Sequence, residues 1–212
     1  MPSLPISLIV FVVFIVVTGF LWRYLARQIQ MPCPVWLRFF LDNPIAASLV
    51  DKQIERAGLT SGMRVLDVGC GTGRIAIPAA MEVGSSGQVT ALDIQPKMLN
   101  IVAKRSEERN LKNIRTVLVG MGEGAFGEKD AFDRAFLSTV LGEIPKREKA
   151  LREIFAALTS GGVLSVTEAL IDPHYQSRRK VRRLAAAAGF AFMREYRSFF
   201  YFTMNFAKPP GN

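Results

Sequence analysis

The chain opens on an apolar run without periodic polar breaks: Ile6 to Trp22 reads ISLIVFVVFIVVTGFLW, and Met1 to Trp22 carries no charged side chain. As a helix rising 1.5 Å per residue, such a segment spans about 30 Å, the thickness of a hydrocarbon core. Phe20, Trp22 and Tyr24 cluster at its end, where interfacial aromatics stand, and Arg23 and Arg27 follow. A positive flank on the C-terminal side places the rest of the chain in the cytoplasm. A cleaved signal peptide fits poorly: the start lacks Lys and Arg, the apolar run is too long, and no small-x-small site follows. The expectation is a single-pass membrane anchor over residues 1–28. Residues 29–43 form a linker in which Pro32 and Pro34 break the helix. Its Trp36, Leu37, Phe39, Phe40 and Leu41, interrupted by Arg38, suit packing on the domain or dipping into lipid.

From Asp42 the pattern becomes regular, and residues 44–212 read as one domain. A helix is predicted over 42–59, with Asn43 as N-cap and Pro44 at its first position. Strands are predicted over 63–69, 88–94, 114–120, within 131–139, and over 162–170. Between them lie helices over 71–84, limited by Pro78; over 96–110, with Met98, Ile101 and Val102 at helical spacing; and over 146–162, ended by glycine. A last helix over 177–190 stops at Gly189, and two β-rich runs, 191–199 and 200–208, close the chain as a hairpin. Strand alternating with helix means an α/β, doubly wound, mostly parallel sheet covered on both faces. With the hairpin it has seven strands and an antiparallel end. Ligands of such sheets bind at the carboxyl ends of the strands, where strand order reverses.

Composition narrows the picture. Of 212 residues, roughly 170 lie beyond the first segments, enough for one domain with a full core. The net charge of +9 suits an anionic partner, a lipid surface or nucleic acid. Cys33, Cys70 and the single His174 share no metal-ligand spacing, so no metal site is expected.

The segment VLDVGCGTGRIAI, Val65 to Ile77, carries Gly69, Gly71 and Gly73 directly after a strand and before a helix. Glycine there permits a tight turn and lets a ligand approach the backbone. Asp93 ends the next strand about twenty residues on, where a carboxylate accepts from ribose hydroxyls. A dinucleotide fingerprint needs a glycine at position 74, and this chain has Arg74. The spacing G-x-G-x-G therefore disfavours a nicotinamide oxidoreductase.

LDVGCGTG followed by VTALDIQPKML resembles the class I S-adenosylmethionine-dependent methyltransferases, over about Asp42 to Ala207. The resemblance implies S-adenosylmethionine as cofactor. The Gly69–Gly73 backbone would face its methionine part, Asp67 its ammonium group, Asp93 its ribose, and Ile94 would flank the adenine. Leu137 and Ser138 would lie beside the cofactor. Met121 stands where many relatives carry an acid that accepts from the adenine amine, so in the adenine-side segment Met121, Gly122 and Glu123 either Glu123 or backbone groups would take that role. Val140 to Pro145 has Gly142 and Glu143 where many relatives carry histidines.

Methyl transfer from a sulfonium is an in-line displacement, so alignment and exclusion of water carry most of the work. Glu143, Glu168, Asp172, His174 and Tyr175 fall near the strand ends, and His174, Tyr175 and Glu143 are the catalytic candidates. His174 has the side chain suited to a base near neutral pH. Cys70 reads as a small filler. Arg178, Arg179, Lys180, Arg182 and Arg183 crowd one helix start and suit anionic lipid headgroups. No nucleic-acid recognition motif accompanies them. The expected function is a membrane-anchored methyltransferase for a lipidic or apolar acceptor. An amine-bearing phospholipid comes first, then a quinone or isoprenoid, then a small apolar thiol. The rival of another class is a non-catalytic anchored module that keeps the fold for binding a partner. The oligomeric state stays open.

Overall fold

The computed structural model describes residues 5–29 and 44–211. Residues 30–43, with the apolar linker, Cys33 and the Asn43 cap, lie outside the described residues. Helix α1 (Ile6–Ile29) is followed by α2 (Pro44–Ala57), β1 (Arg64–Val68), α3 (Ala76–Val83), β2 (Gln88–Asp93), α4 (Pro96–Glu108) and β3 (Ile114–Leu118). Then come β4 (Phe132–Ser138), α5 (Arg147–Ala157), β5 (Leu158–Ala169), α6 (Arg178–Ala187), β6 (Ala191–Arg197) and β7 (Tyr201–Ala207). The seven strands form one sheet in the order β3-β2-β1-β4-β5-β7-β6. Neighbours from β3 to β5 are parallel, whereas β7 runs antiparallel to both β5 and β6.

Side chains alternate across the central strands and feed two cores. On β1, Val65 joins α2, α3 and α4 through Val50, Ala79 and Val102, while Leu66 faces the opposite cluster. On β4, Phe136 points to the first face and Ala135 and Leu137 to the second, where α5 supplies Leu151 and Ile154 and α6 supplies Val181 and Leu184. Phe136 is almost fully buried, so truncating it to Ala should cost about 3–5 kcal/mol.

Helix α5 corrects one boundary. It ends at Ala157, and its C-cap Leu158 is already extended (φ −75°, ψ 143°). The Leu158–Gly162 segment joins β5 instead of capping the helix. Its polar groups find other partners: Thr159 Oγ1 donates to the Phe132 carbonyl (3.1 Å), and the Gly161 amide donates to Lys208 (2.9 Å). Gly161, at φ +74°, gives the bend a residue without a Cβ penalty. Pro78 sits in the first turn of α3, where a missing amide costs nothing. Ser177 caps α6 by accepting from the Lys180 amide (3.4 Å).

Helix α1 is apolar around its circumference. Its Ile6–Ala26 stretch has a mean hydropathy of 2.4, and its described side chains are exposed except Arg23 and Ala26, which are half-buried. By length and composition it can cross a membrane. Its C-terminal end meets the domain: Arg23 Nη1 donates to the Leu170 carbonyl (2.9 Å), and the Ala26 carbonyl lies 2.9 Å from His174 Nε2.

Candidate active site

The strand order reverses between β1 and β4, and the carboxyl ends of β1, β2, β4 and β5 converge on one edge of the sheet. The glycine loop follows β1 there. Gly69, Gly71 and Gly73 take φ of +66°, +52° and +85°. A Cβ on Gly69 would stand 2.2 Å from Val140 Cγ2, so glycine is what lets the loops after β1 and β4 pack together. A Cβ on Gly71 would meet nothing within 4 Å. That position leaves backbone open to a ligand.

Asp93 anchors this loop, its Oδ2 accepting from the Gly71 amide (2.9 Å) and its Oδ1 from the Gln95 amide (2.8 Å). Burial holds its carboxyl above the usual range, and the Gln95, Gly71 and Ile94 amides oppose that rise. Ile94 beside it is exposed. Asp67, 2 % exposed, is the penultimate residue of β1, beneath the loop. Burial pushes its carboxyl up to about 7, the Ala76 amide pulls it down, Asp93 raises it and Arg74 lowers it. Its Oδ2 has no hydrogen-bond partner among the described residues. A buried carboxylate oxygen without a donor calls for a cationic N–H from a ligand.

The adenine-side segment is arranged differently from the cradle. Met121 and Leu137 are buried in the core with Leu141 and Ile144, so their side chains pack on protein. The amides of Gly122 and Gly124 donate to Glu153 of α5 (2.7 and 2.8 Å). Glu123 is exposed and lines, with Lys146, Lys149 and Arg152, a separate depression of about 280 Å³. Ser138 is half-buried at the end of β4. The larger depression, about 430 Å³, lies at the opposite end of the strands around Arg134 and Gly161, away from this chemistry.

Two loops stand beside the cradle at the carboxyl ends of β4 and β5. In the first, Thr139 holds φ +56°, an uncommon backbone for a β-branched residue. Arg147 of α5 donates from Nε to the Leu141 carbonyl (3.0 Å) and from Nη2 to that of Gly142 (2.5 Å). A Cβ on Gly142 would stand 1.9 Å from the His174 carbonyl oxygen, so this loop packs backbone to backbone on the second one, after β5. Cys70, also near the cradle, is buried, and burial pushes its thiol up, away from nucleophilic use.

The loop after β5 gathers most of the catalytic candidates. Glu168, 1 % exposed, accepts from the Gln176 amide through Oε2 (2.8 Å), while Oε1 has no hydrogen-bond partner among the described residues. Burial raises its carboxyl to about 8, the Gln176 amide opposes this, Asp172 and Glu143 add to it and Arg147 lowers it. His174 is buried. Its Nε2 proton is directed to the Ala26 carbonyl, and Nδ1 faces Asp172 Oδ1 at 3.8 Å. Tyr175 packs edge-on against Phe202 (centroids 6.0 Å apart), with the Arg23 guanidinium 5.8 Å from its ring centre. Glu143 is half-buried in the turn after β4.

A doubly wound sheet with a glycine cradle at its switch point, an orphaned acid beneath it and a second acid at the end of β2 defines a nucleoside-cofactor site of the methyltransferase kind. The methyltransferase domain family matches residues 59–188, and the chain belongs to that family. Its cofactor is S-adenosylmethionine, and the residues present fit it: Asp67 offers an unpaired oxygen, Gly71 an open backbone, and Asp93 a carboxylate at the end of β2 beside the loop. The Vibrio campbellii ubiquinone/menaquinone biosynthesis C-methyltransferase UbiE is 33% identical over 124 residues, 57% of this chain and 48% of that protein. The Lactococcus lactis demethylmenaquinone methyltransferase is 35% identical over 111 residues, 52% of this chain and 44% of that protein. The chain thus spans about half the length of the curated relatives it matches. A SAM-dependent methyltransferase from Aquifex aeolicus shares the fold with a TM-score of 0.76 at 22% identity, covering 82% of this chain and 98% of that one.

Glu168, one of the strand-end acids, carries a signal in the sequence as an acid inside the apolar run SVTEAL. Arg147, Glu153 and Thr139 carry none, because their roles arise from loops that meet only after the sheet is assembled.

Proposed function

We propose that the chain is a membrane-anchored S-adenosylmethionine-dependent methyltransferase that methylates a bilayer-soluble acceptor, with a quinone-type ring as the favoured class. One observation carries the reading. The end of the membrane-length helix is bonded to the loop that borders the acceptor side, through Arg23 to Leu170 and Ala26 to His174. An apolar substrate diffusing in the bilayer would meet the site where that helix leaves it, which raises its effective concentration. The ring-type acceptor draws support from the two relatives named above.

When bound, S-adenosylmethionine supplies a methyl group activated by its sulfonium. The chain's part is placement and protons. Asp67 takes a cationic N–H on its free oxygen, and Gly71 admits the ligand to the backbone. A ring carbon that gains a methyl must give up a proton. Glu168 is the buried carboxyl at the end of β5 able to take it near neutral pH. Arg147 fixes the loop after β4, the close Gly142–His174 approach packs that loop on the one after β5, and together they help exclude water.

The amine-bearing phospholipid is a second reading, favoured by the exposed Arg179 and Arg183 of α6. One experiment separates the two. The full chain is reconstituted in vesicles containing a demethylated prenyl quinol and phosphatidylethanolamine, with methyl-labelled cofactor. Label in the quinol fraction supports the first reading. Label in the phospholipid fraction replaces it with the second, and label in neither refutes both.

A further inference from the structure

Four apolar side chains stand in water at the acceptor end of the sheet. Ile171 is 91 % exposed, Phe199 83 %, Phe200 67 % and Leu170 43 %. They come from two segments, the loop after β5 and the tip between β6 and β7. The fold makes them one patch: the Leu170 amide donates to the Phe200 carbonyl (2.7 Å), and the rings of Phe199 and Phe200 sit edge to face at 4.8 Å. The patch touches the end of the apolar helix, since the Leu170 carbonyl accepts from Arg23. Phe20, Leu21 and Tyr24, also exposed, flank Arg23 along the end of α1.

Cations rim the patch. Arg23 flanks it on one side and Arg197, the last residue of β6, on the other. Arg178 and Arg182 approach from α6, and the three arginines of this group share the single acid Glu195. The rim therefore stays positive. A compact apolar tip with a basic collar has the composition of an interfacial membrane-binding surface, whose apolar part sinks about 5–10 Å below the headgroups. An isolated exposed aromatic pair needs no explanation. Two segments joined into one patch at the end of a membrane-length helix do.

We infer that Leu170, Ile171, Phe199 and Phe200 insert into the surface of an anionic bilayer, as a second contact that turns the acceptor mouth toward the lipid. The inference rests on the reading of α1 as a membrane anchor. With the patch inserted, the domain has one orientation on the membrane; a single helix alone would leave it free to swing.

The test uses the full chain in vesicles of phosphatidylcholine with phosphatidylglycerol. In a Cys33→Ser background, with Cys70 buried, single probes are placed by Phe199→Cys, Ile171→Cys, Phe14→Cys and Ser61→Cys and labelled with an environment-sensitive dye. Nitroxide lipids then act as quenchers. The expected result is blue-shifted, quenched emission at 199, 171 and 14, and neither effect at 61, which lies at the far end of the strands. Ile171→Cys alters a nearly free side chain, so it reads the patch even where Phe199→Cys disturbs the hairpin. Quenching at 14 but at neither 171 nor 199 overturns the patch and leaves the anchor standing. Quenching at 171 and 199 but not at 14 supports the patch and overturns the anchor reading. Quenching at none overturns both.

Discussion

The guanidinium of Arg23 donates a 2.9 Å hydrogen bond to the carbonyl of Leu170, 147 residues further along the chain. A second contact, His174 Nε2 to the Ala26 carbonyl at 2.9 Å, lies one helical turn away on α1. Together they make the apolar helix a strut for the acceptor loop. A hydrogen bond of this kind, with a charged donor, contributes about 1.5–3 kcal/mol when well formed and less where water competes. Arg23→Met should therefore lower turnover of a vesicle-borne acceptor by roughly 3- to 30-fold. Affinity for S-adenosylmethionine, measured by calorimetry, should stay as it was. Equal loss of both would show that the contact supports folding of the whole domain.

Asp93→Ala removes the acceptor for the Gly71 and Gln95 amides and the carboxylate that the resemblance to methyltransferases assigns to the ribose. Affinity for S-adenosylmethionine should fall on the order of 10- to 100-fold. Calorimetry checks this, with circular dichroism to confirm that the sheet persists. An unchanged dissociation constant would remove Asp93 from the cofactor site.

Gly142→Ala places a methyl 1.9 Å from the His174 carbonyl oxygen, and both partners are backbone. Neither loop can yield by turning a side chain. The variant should lose roughly 1–3 kcal/mol of stability and most of its turnover, because the acceptor loops must separate. Thermal unfolding in parallel with an activity assay reads both effects. Gly71→Ala, by contrast, meets open space but must hold φ +52°, which costs about 1–2 kcal/mol of backbone strain; cofactor binding should fall as well, because the added methyl stands where the loop leaves backbone open.

Glu168 and Asp67 set a pH dependence. Each has a folded pKa above its ordinary value, from 4.5 to about 8 for Glu168 and from 3.8 to about 7 for Asp67, and burial is the main cause of both. Above the ordinary value the unfolded chain has released the proton while the folded one retains it. Stability therefore falls as pH rises from the ordinary values toward 7 and 8, then levels off. Glu168→Gln, which keeps an oxygen for the Gln176 amide, should flatten the melting-temperature profile between pH 5 and 8 and raise stability at pH 8. It should also abolish a rise in turnover centred near pH 8. A cation beside Asp67 favours its charged form, so cofactor binding should release a proton below pH 7. Calorimetry in buffers of different ionisation enthalpy measures that proton.

Local patterning made much of this molecule legible. The alternation of strand-length apolar runs with helical ones announces the parallel sheet, and three glycines between β1 and α3 announce the cradle, because backbone conformation and burial periodicity are encoded over a few neighbouring residues. The full length of the fifth strand escapes the same patterning. Leu158–Gly162 has the composition of a helix end, and only its pairing with Phe132 and Lys208 makes it strand. In the sequence Arg178 and Arg182 suit anionic lipid headgroups; in the fold both reach Glu195 on β6.

By itself, the amino-acid sequence determined the fold class, the glycine loop with Asp67 and Asp93, and one helix apolar enough to cross a bilayer. Tertiary structure alone decided that this helix ends against the acceptor loop, that Gly142 meets His174, that Glu153 holds the Gly122 and Gly124 amides, and that two apolar tips merge into one surface. Short-range features follow from residue type and spacing. The others join segments separated by tens to more than a hundred residues, and their meeting depends on the order in which the strands are laid in the sheet.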